Sequence, residues 1–114
     1  TAFYRSKDRS NQCLIKMVQV KVLKSKADNL YGLEVKGHAG YAEAGQDLVC
    51  AAVSSIITGG FNAMSKEDIE EIALEEGYAK VILKENTHSV EVLKVIVIQL
   101  QTIEESYPKF IKLK

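Results

Sequence analysis

His38 and Cys50 stand twelve residues apart in GHAGYAEAGQDLVCAAVSS, the stretch from Gly37 to Ser55. An imidazole and a thiol are the parts of a nucleophilic pair: the histidine takes the proton and the thiolate attacks. The pattern around Cys50 predicts a helix that begins close before it. That puts the thiol near the third helical position, where unpaired N–H groups and the positive dipole end favour a thiolate. The same N–H groups could stabilise an oxyanion. Asp47 suits the N-cap, with its carboxylate able to accept the N–H of Cys50. Ser54 follows one turn after Cys50 and faces the same side.

Each of these residues also has a plainer reading. A lone cysteine at the start of an apolar helix is often only packed there. His38 could cap a strand end, and Tyr41 could anchor a loop. Asp47, as a negative charge near Cys50, would by itself raise the thiol pKa. Other chemistries fit less well. His38, Asp47, Cys50 and His88 do not form a zinc-ligand spacing, so no metal is expected. The glycines lack the Lys-Ser/Thr of a phosphate loop and the strand and helix context of a dinucleotide site, so no cofactor is expected. His88 reads as a residue at the start of a helix.

The elements that must position the pair can be read on either side of it. Val18, Val20 and Val22 alternate with polar neighbours, and Leu30 to Lys36 places Tyr31, Leu33 and Val35 on one face. With Ala27-Asp28-Asn29 as a turn, this is a hairpin ending at Gly37. Gly37, Gly40 and Gly45, with Ala39, Ala42 and Ala44 among them, make a ligand-contacting loop able to fold His38 back toward Cys50. A helix then runs through Val49, Val53, Ile56 and Ile57 until Gly59-Gly60 weakens it, with Phe61 and Met64 extending it by another turn.

Ile69–Leu74 and Tyr78–Lys84 form a second hairpin. Asn86, Thr87 and Ser89 are candidate caps for a long segment ending near Tyr107, with Val90, Leu93, Val97, Leu100 and Ile103 at helical spacing. Its β-branched run Val95-Ile96-Val97-Ile98 favours a strand, but about 18 residues without a breaker is too long for one. Pro108 stops it, and Phe110 to Lys114 is a short strand. The order β-β-α-β-β-α-β predicts an α+β fold, with two helices packed on a mostly antiparallel sheet.

With 114 residues, 46% hydrophobic and 26% charged, the sequence is that of one ordinary globular domain. Residues 17–114 form that domain. Residues 1–16 lack periodicity and read as an N-terminal tail, either a genuine basic extension or a remnant of sequence before a start at Met17. The zero net charge divides into +3 in residues 1–16 and −3 in the rest. A mildly acidic body argues against nucleic acid and suits a basic peptide partner. No apolar run spans a bilayer and no secretory leader is seen. Cys13 and Cys50 are read as thiols in a reducing cytoplasm.

GHAGYAEAGQDLVCAAVSS resembles the signature of the ribosomal-processing cysteine protease family, Prp: G-H-A, a Gly-rich loop, D-[IL]-V-C and a nearby Ser. The MVQVKV opening at Met17 and the long second helix ending in YP look familial too, so the resemblance covers Met17 to Lys114. It implies a cytoplasmic bacterial peptidase, a homodimer, that removes a short N-terminal extension from large-subunit ribosomal protein twenty-seven. It implies Cys50 as nucleophile, His38 as general acid/base, and Gly37, Asp47 and Ser54 as supporting residues. The loop with Ala39, Gly40, Tyr41 and Gly45 would be the mobile substrate loop. Excess apolar surface on the second helix fits dimer burial. The alternative is a non-catalytic ribosome-associated binding module with Cys50 as a core residue.

Overall fold

Alternation of Val18 and Val20 with Gln19 and Lys21 gives a strand with one buried and one wet face, and the chain uses it inside a sheet, next to one edge. In a computed structural model, which describes residues 17–37, 46–75 and 77–114, strand β1 (Val18–Lys24) pairs antiparallel with β2 (Leu30–Lys36). Asp28 makes the turn between them at φ 66°, a left-handed conformation that Asp tolerates better than most residues. The second hairpin joins β3 (Ile69–Glu75) to β4 (Tyr78–Leu83), and β4 docks antiparallel on β2. The last strand, β5 (Ile111–Leu113), lies parallel to β1. The five-stranded order is β3-β4-β2-β1-β5, so the sheet is mostly antiparallel with one parallel edge.

Two helices cover one face of this sheet. Helix α1 (Gln46–Ala63) buries Val49, Cys50, Val53, Ile57 and Phe61, and α2 (Ser89–Ser106) buries Leu93, Ile96 and Leu100. These interlock with Val18, Val20, Leu33, Val35, Ala79, Val81 and Ile111 from the strands. The β-branched run in α2 is helical because its core-facing residues recur three and four apart, and burying that stripe outweighs the small propensity penalty of each residue. Gly59-Gly60 does not end α1. A Cβ at Gly60 would lie 2.6 Å from Ile96 Cγ1, so the glycine lets α2 pack close, while a Cβ at Gly59 would meet nothing within 4 Å. On the other face of the sheet Gly32 serves the same purpose: Leu23 Cδ1 lies 2.9 Å from where its Cβ would be.

The cap of α2 differs from expectation. Neither Asn86, Thr87 nor Ser89 caps it with a side chain; His88 holds the N-cap position, without a side-chain bond. Asp68, from the 3-10 turn Lys66–Asp68, supplies the missing acceptor. Its Oδ2 accepts the Ser89 N–H (3.2 Å) and the Ser89 hydroxyl (2.7 Å), and Ser89 Oγ accepts the Ser65 N–H (3.1 Å). A distant carboxylate thus sits at the positive end of α2. A local search for caps could not find it, because it comes from 21 residues earlier. Among the described residues no helix is long and apolar enough to cross a membrane.

Candidate active site

The strand order fixes which end of the molecule holds the candidate site. Strand β2 finishes at Lys36, and Gly37 follows it with φ 98°, a backbone conformation open to glycine and strained for other residues. The Gly37 N–H donates to the carbonyl of Gly77 (2.9 Å), itself at φ 75° where β4 is about to begin. Two glycines thereby lock the end of β2 to the β3–β4 turn, just before His38 in the chain. Beside them Tyr78, paired with Lys36, donates its hydroxyl to Glu34 Oε2 at 2.7 Å. This bond, followed by burial and the charges of Glu34, Glu71 and Glu75, raises the phenol pKa above its usual 10.0. Sequence reading took Gly77-Tyr78 only as the opening of a strand and gave neither them nor Glu34 a place beside the site.

Gln46 is the first described residue of helix α1, so Asp47 is helical and not an N-cap, and Cys50 follows Gln46 by four residues. Cys50 is 1% exposed and points into the core. Ser54, at i+4 on the same face, is also 1% exposed, and its Oγ has no hydrogen-bond partner among the described residues. Buried hydroxyls are nearly always satisfied, and exceptions concentrate where chemistry takes place. His38, Ala39, Gly40, Tyr41, Gly45 and the Asp47 side chain lie outside the described residues.

The second histidine belongs to the other end. The Ser65 N–H, just past the end of α1, bonds to Ser89, and His88 is exposed next to it. Thirteen helical residues separate Cys50 from Ala63, a rise of about 20 Å. His88 is thus far from the thiol. An open groove of about 800 Å³ lined by Ser25, Asn29, Leu83, Asn86, Val90 and Lys94 also lies at that end, where β2 begins, and shares no residue with the candidate site.

Comparison with known proteins gives this geometry its context. Residues 17–112 match the family model described as cysteine protease Prp. The ribosomal processing cysteine protease Prp of Mycoplasma genitalium is 40% identical over 81 residues, spanning 69% of this chain and 82% of the relative. The crystal structure of the essential ribosomal processing protease Prp from Staphylococcus aureus with a substrate peptide superposes with a TM-score of 0.75. It is 26% identical and covers 86% of this chain and 98% of that one. A second crystal structure of that protease, with a covalently linked product peptide, has a TM-score of 0.73, 26% identity and the same coverage. Cys50 is the one cysteine inside the matched span, since Cys13 lies before it. With its sheet, its two helices and its thiol at the start of α1, this chain belongs to the family of ribosomal-processing cysteine proteases, Prp.

Proposed function

We propose that this chain is a cytoplasmic Cys–His endopeptidase that removes the short N-terminal extension of large-subunit ribosomal protein twenty-seven during ribosome maturation. The observation that carries the reading is that a cysteine protease family spans residues 17–112 and Cys50 is the one cysteine there. Cys50 attacks the scissile carbonyl as the thiolate, and His38 takes up the thiol proton and passes it to the departing amine. Water, deprotonated by the same imidazole, then hydrolyses the thioester and frees the thiol. His38 is favoured as that base because it follows Gly37 at the end of β2, whereas His88 is about 20 Å down α1 from Cys50. The N–H groups that open α1 would bind the oxyanion.

Gly37 positions the strand end, Ser54 supplies a hydroxyl beside the thiol, and Asp47 biases the first turn of α1. The loop with Ala39, Gly40, Tyr41 and Gly45 contacts the substrate. The protein works as a homodimer, a reading supported by Val95 and Ile98, which are 54% and 60% exposed on the outer face of α2.

The test is incubation with the precursor ribosomal protein from the same organism, read by mass spectrometry. The leader is lost with the wild type and retained with Cys50→Ala and with His38→Ala. Cleavage by a well-folded Cys50→Ala protein overturns the reading. The near-complete burial of Cys50 favours one other role, a packed thiol in a module that binds without cutting. Iodoacetamide labelling against pH separates the two: the peptidase gives a midpoint below the usual thiol value of about 8.5, the module one at or above it.

A further inference from the structure

Strand β3 is the outermost strand on its side of the sheet, and among the described residues its far edge pairs with nothing. Such an edge presents backbone N–H and C=O groups in register for another strand. Its side chains are sorted by face. Ile72 and Leu74 lie opposite the core residues Val81 and Ala79, on the helix side of the sheet. Their partners are fully buried, yet Ile72 is 48% and Leu74 41% exposed, because the helices do not reach this far. Glu71, Ala73 and Glu75 pair with Ile82, Lys80 and Tyr78 on the opposite face. Glu71 holds Lys80 at 3.2 Å, and Glu67, Glu70 and Glu75 are exposed along the same segment.

We propose that the β3 edge takes a sixth strand from a basic polypeptide partner, in which basic and apolar residues alternate. The period of two is set by the strand itself. Apolar side chains of the incoming strand lie over Ile72 and Leu74, and its basic ones meet Glu71 and Glu75. A second copy of β3 is disfavoured as the occupant, since it would bring its glutamates against these. Strand addition draws its affinity from main-chain bonds and its specificity from alternate side chains.

The edge also leads to the candidate site. β3 runs toward Glu75, and the turn after it holds Gly37 through the Gly77 carbonyl. A strand laid along β3 would deliver its chain near the end of β2. The proposal therefore deepens the peptidase reading and rests on it for the partner's identity, the basic body of the protein substrate.

Binding and cleavage are tested separately. The intact wild-type chain is titrated with a short peptide of alternating Lys and Val, and amide exchange is followed. The expected result is slowed exchange in Ile69–Glu75 and none in β5, with affinity falling at higher salt. The double variant E71K/E75K weakens binding about tenfold, from the loss of two exposed charge pairs. E71Q/E75Q, milder for the fold, gives an intermediate loss. The same peptide N-methylated at alternate amides keeps its charge and fails to bind.

Equal binding of the methylated peptide, protection elsewhere, or unchanged affinity in folded E71K/E75K overturns the proposal. So does β3 protection that grows with protein concentration alone, which would assign the edge to a second copy. In cleavage assays E71K/E75K raises KM for the basic precursor about tenfold and leaves an uncharged leader peptide unaffected. If neither substrate is cut by the wild type, the peptidase reading fails while the exchange result still stands.

Discussion

Replacing Ser54 by alanine should make this protein more stable and a poorer enzyme. The residue is 1% exposed and its Oγ has no partner among the described residues. A buried polar group left without a hydrogen bond costs about 1–3 kcal/mol, and alanine removes that cost while giving up the contacts of one atom. The net expectation is a gain of about 1–2 kcal/mol, or roughly 4 °C in Tm per kcal/mol for a domain of this size. The proposed role beside the Cys50 thiol sets the opposing effect, a loss of at least about tenfold in kcat/KM, near 1.4 kcal/mol of transition-state stabilisation. Paired urea and thermal unfolding curves measure the first, and initial rates on a leader peptide the second. The reasoning about stability is refuted if Ser54→Ala loses 1 kcal/mol or more, since the hydroxyl must then be bonded. Full activity in a folded Ser54→Ala protein refutes its part in the site.

Three further outcomes follow from the fold. The adjacent glycines of α1 should respond oppositely to alanine: Gly59→Ala, with open space around its Cβ, gains up to about 1 kcal/mol in helix propensity, while Gly60→Ala meets buried Ile96 and loses about 1–3 kcal/mol, both read from denaturant midpoints. Ser89→Ala removes the hydroxyl that links Asp68 to the Ser65 N–H and should cost about 1–3 kcal/mol, with Asp68→Asn costing less because its amide oxygen still accepts from the helix; equal and negligible losses would rule the network out as a cap. Ultraviolet titration should show Tyr78 ionising above 10.0. Because the folded pKa is the higher one, its bond to Glu34 contributes stability below the unfolded value and loses it as pH rises through the folded value. Tyr78→Phe and Glu34→Gln should each abolish that alkaline dependence.

Periodicity made most of the fold legible. The alternation at Val18–Val22 and at Leu33 and Val35, and the helical spacing of Leu93 and Leu100, are direct images of burial on one face; Ile96, left out of that stripe, is buried with them, while Val97, counted in it, is only half-buried. The order of elements was read correctly for the same reason. What the sequence left hidden depends on contacts between distant residues. The Asp68 cap of α2, the parallel seat of β5 and the Gly60–Ile96 contact are set by how elements pack, and a local window does not see packing. Asp47 was read as the N-cap of α1 and lies inside the helix instead, so Cys50 is deeper in it than the third position. That Cys50 and Ser54 share one face of α1 was readable from their spacing. The lock between Gly37 and Gly77 was not, since nothing in either glycine's neighbourhood names the other.

The seat of β5 beside β1 bears on how the domain comes into being. Val18 and Ile111 are register partners, and Val18 N–H, Val22 N–H and Val20 C=O each bond to the final stretch of chain from Phe110 to Lys114. The first of the described strands therefore waits for the last of them. Until Ile111 arrives, one side of β1 is an open edge beside the core residues Val18 and Val20, and closing it joins the most distant parts of the domain. Contacts of such long range are slow to form, because the intervening chain must be ordered before they stabilise anything. Completion of the sheet is thereby tied to a contact between segments about ninety residues apart, which local structure cannot form by itself.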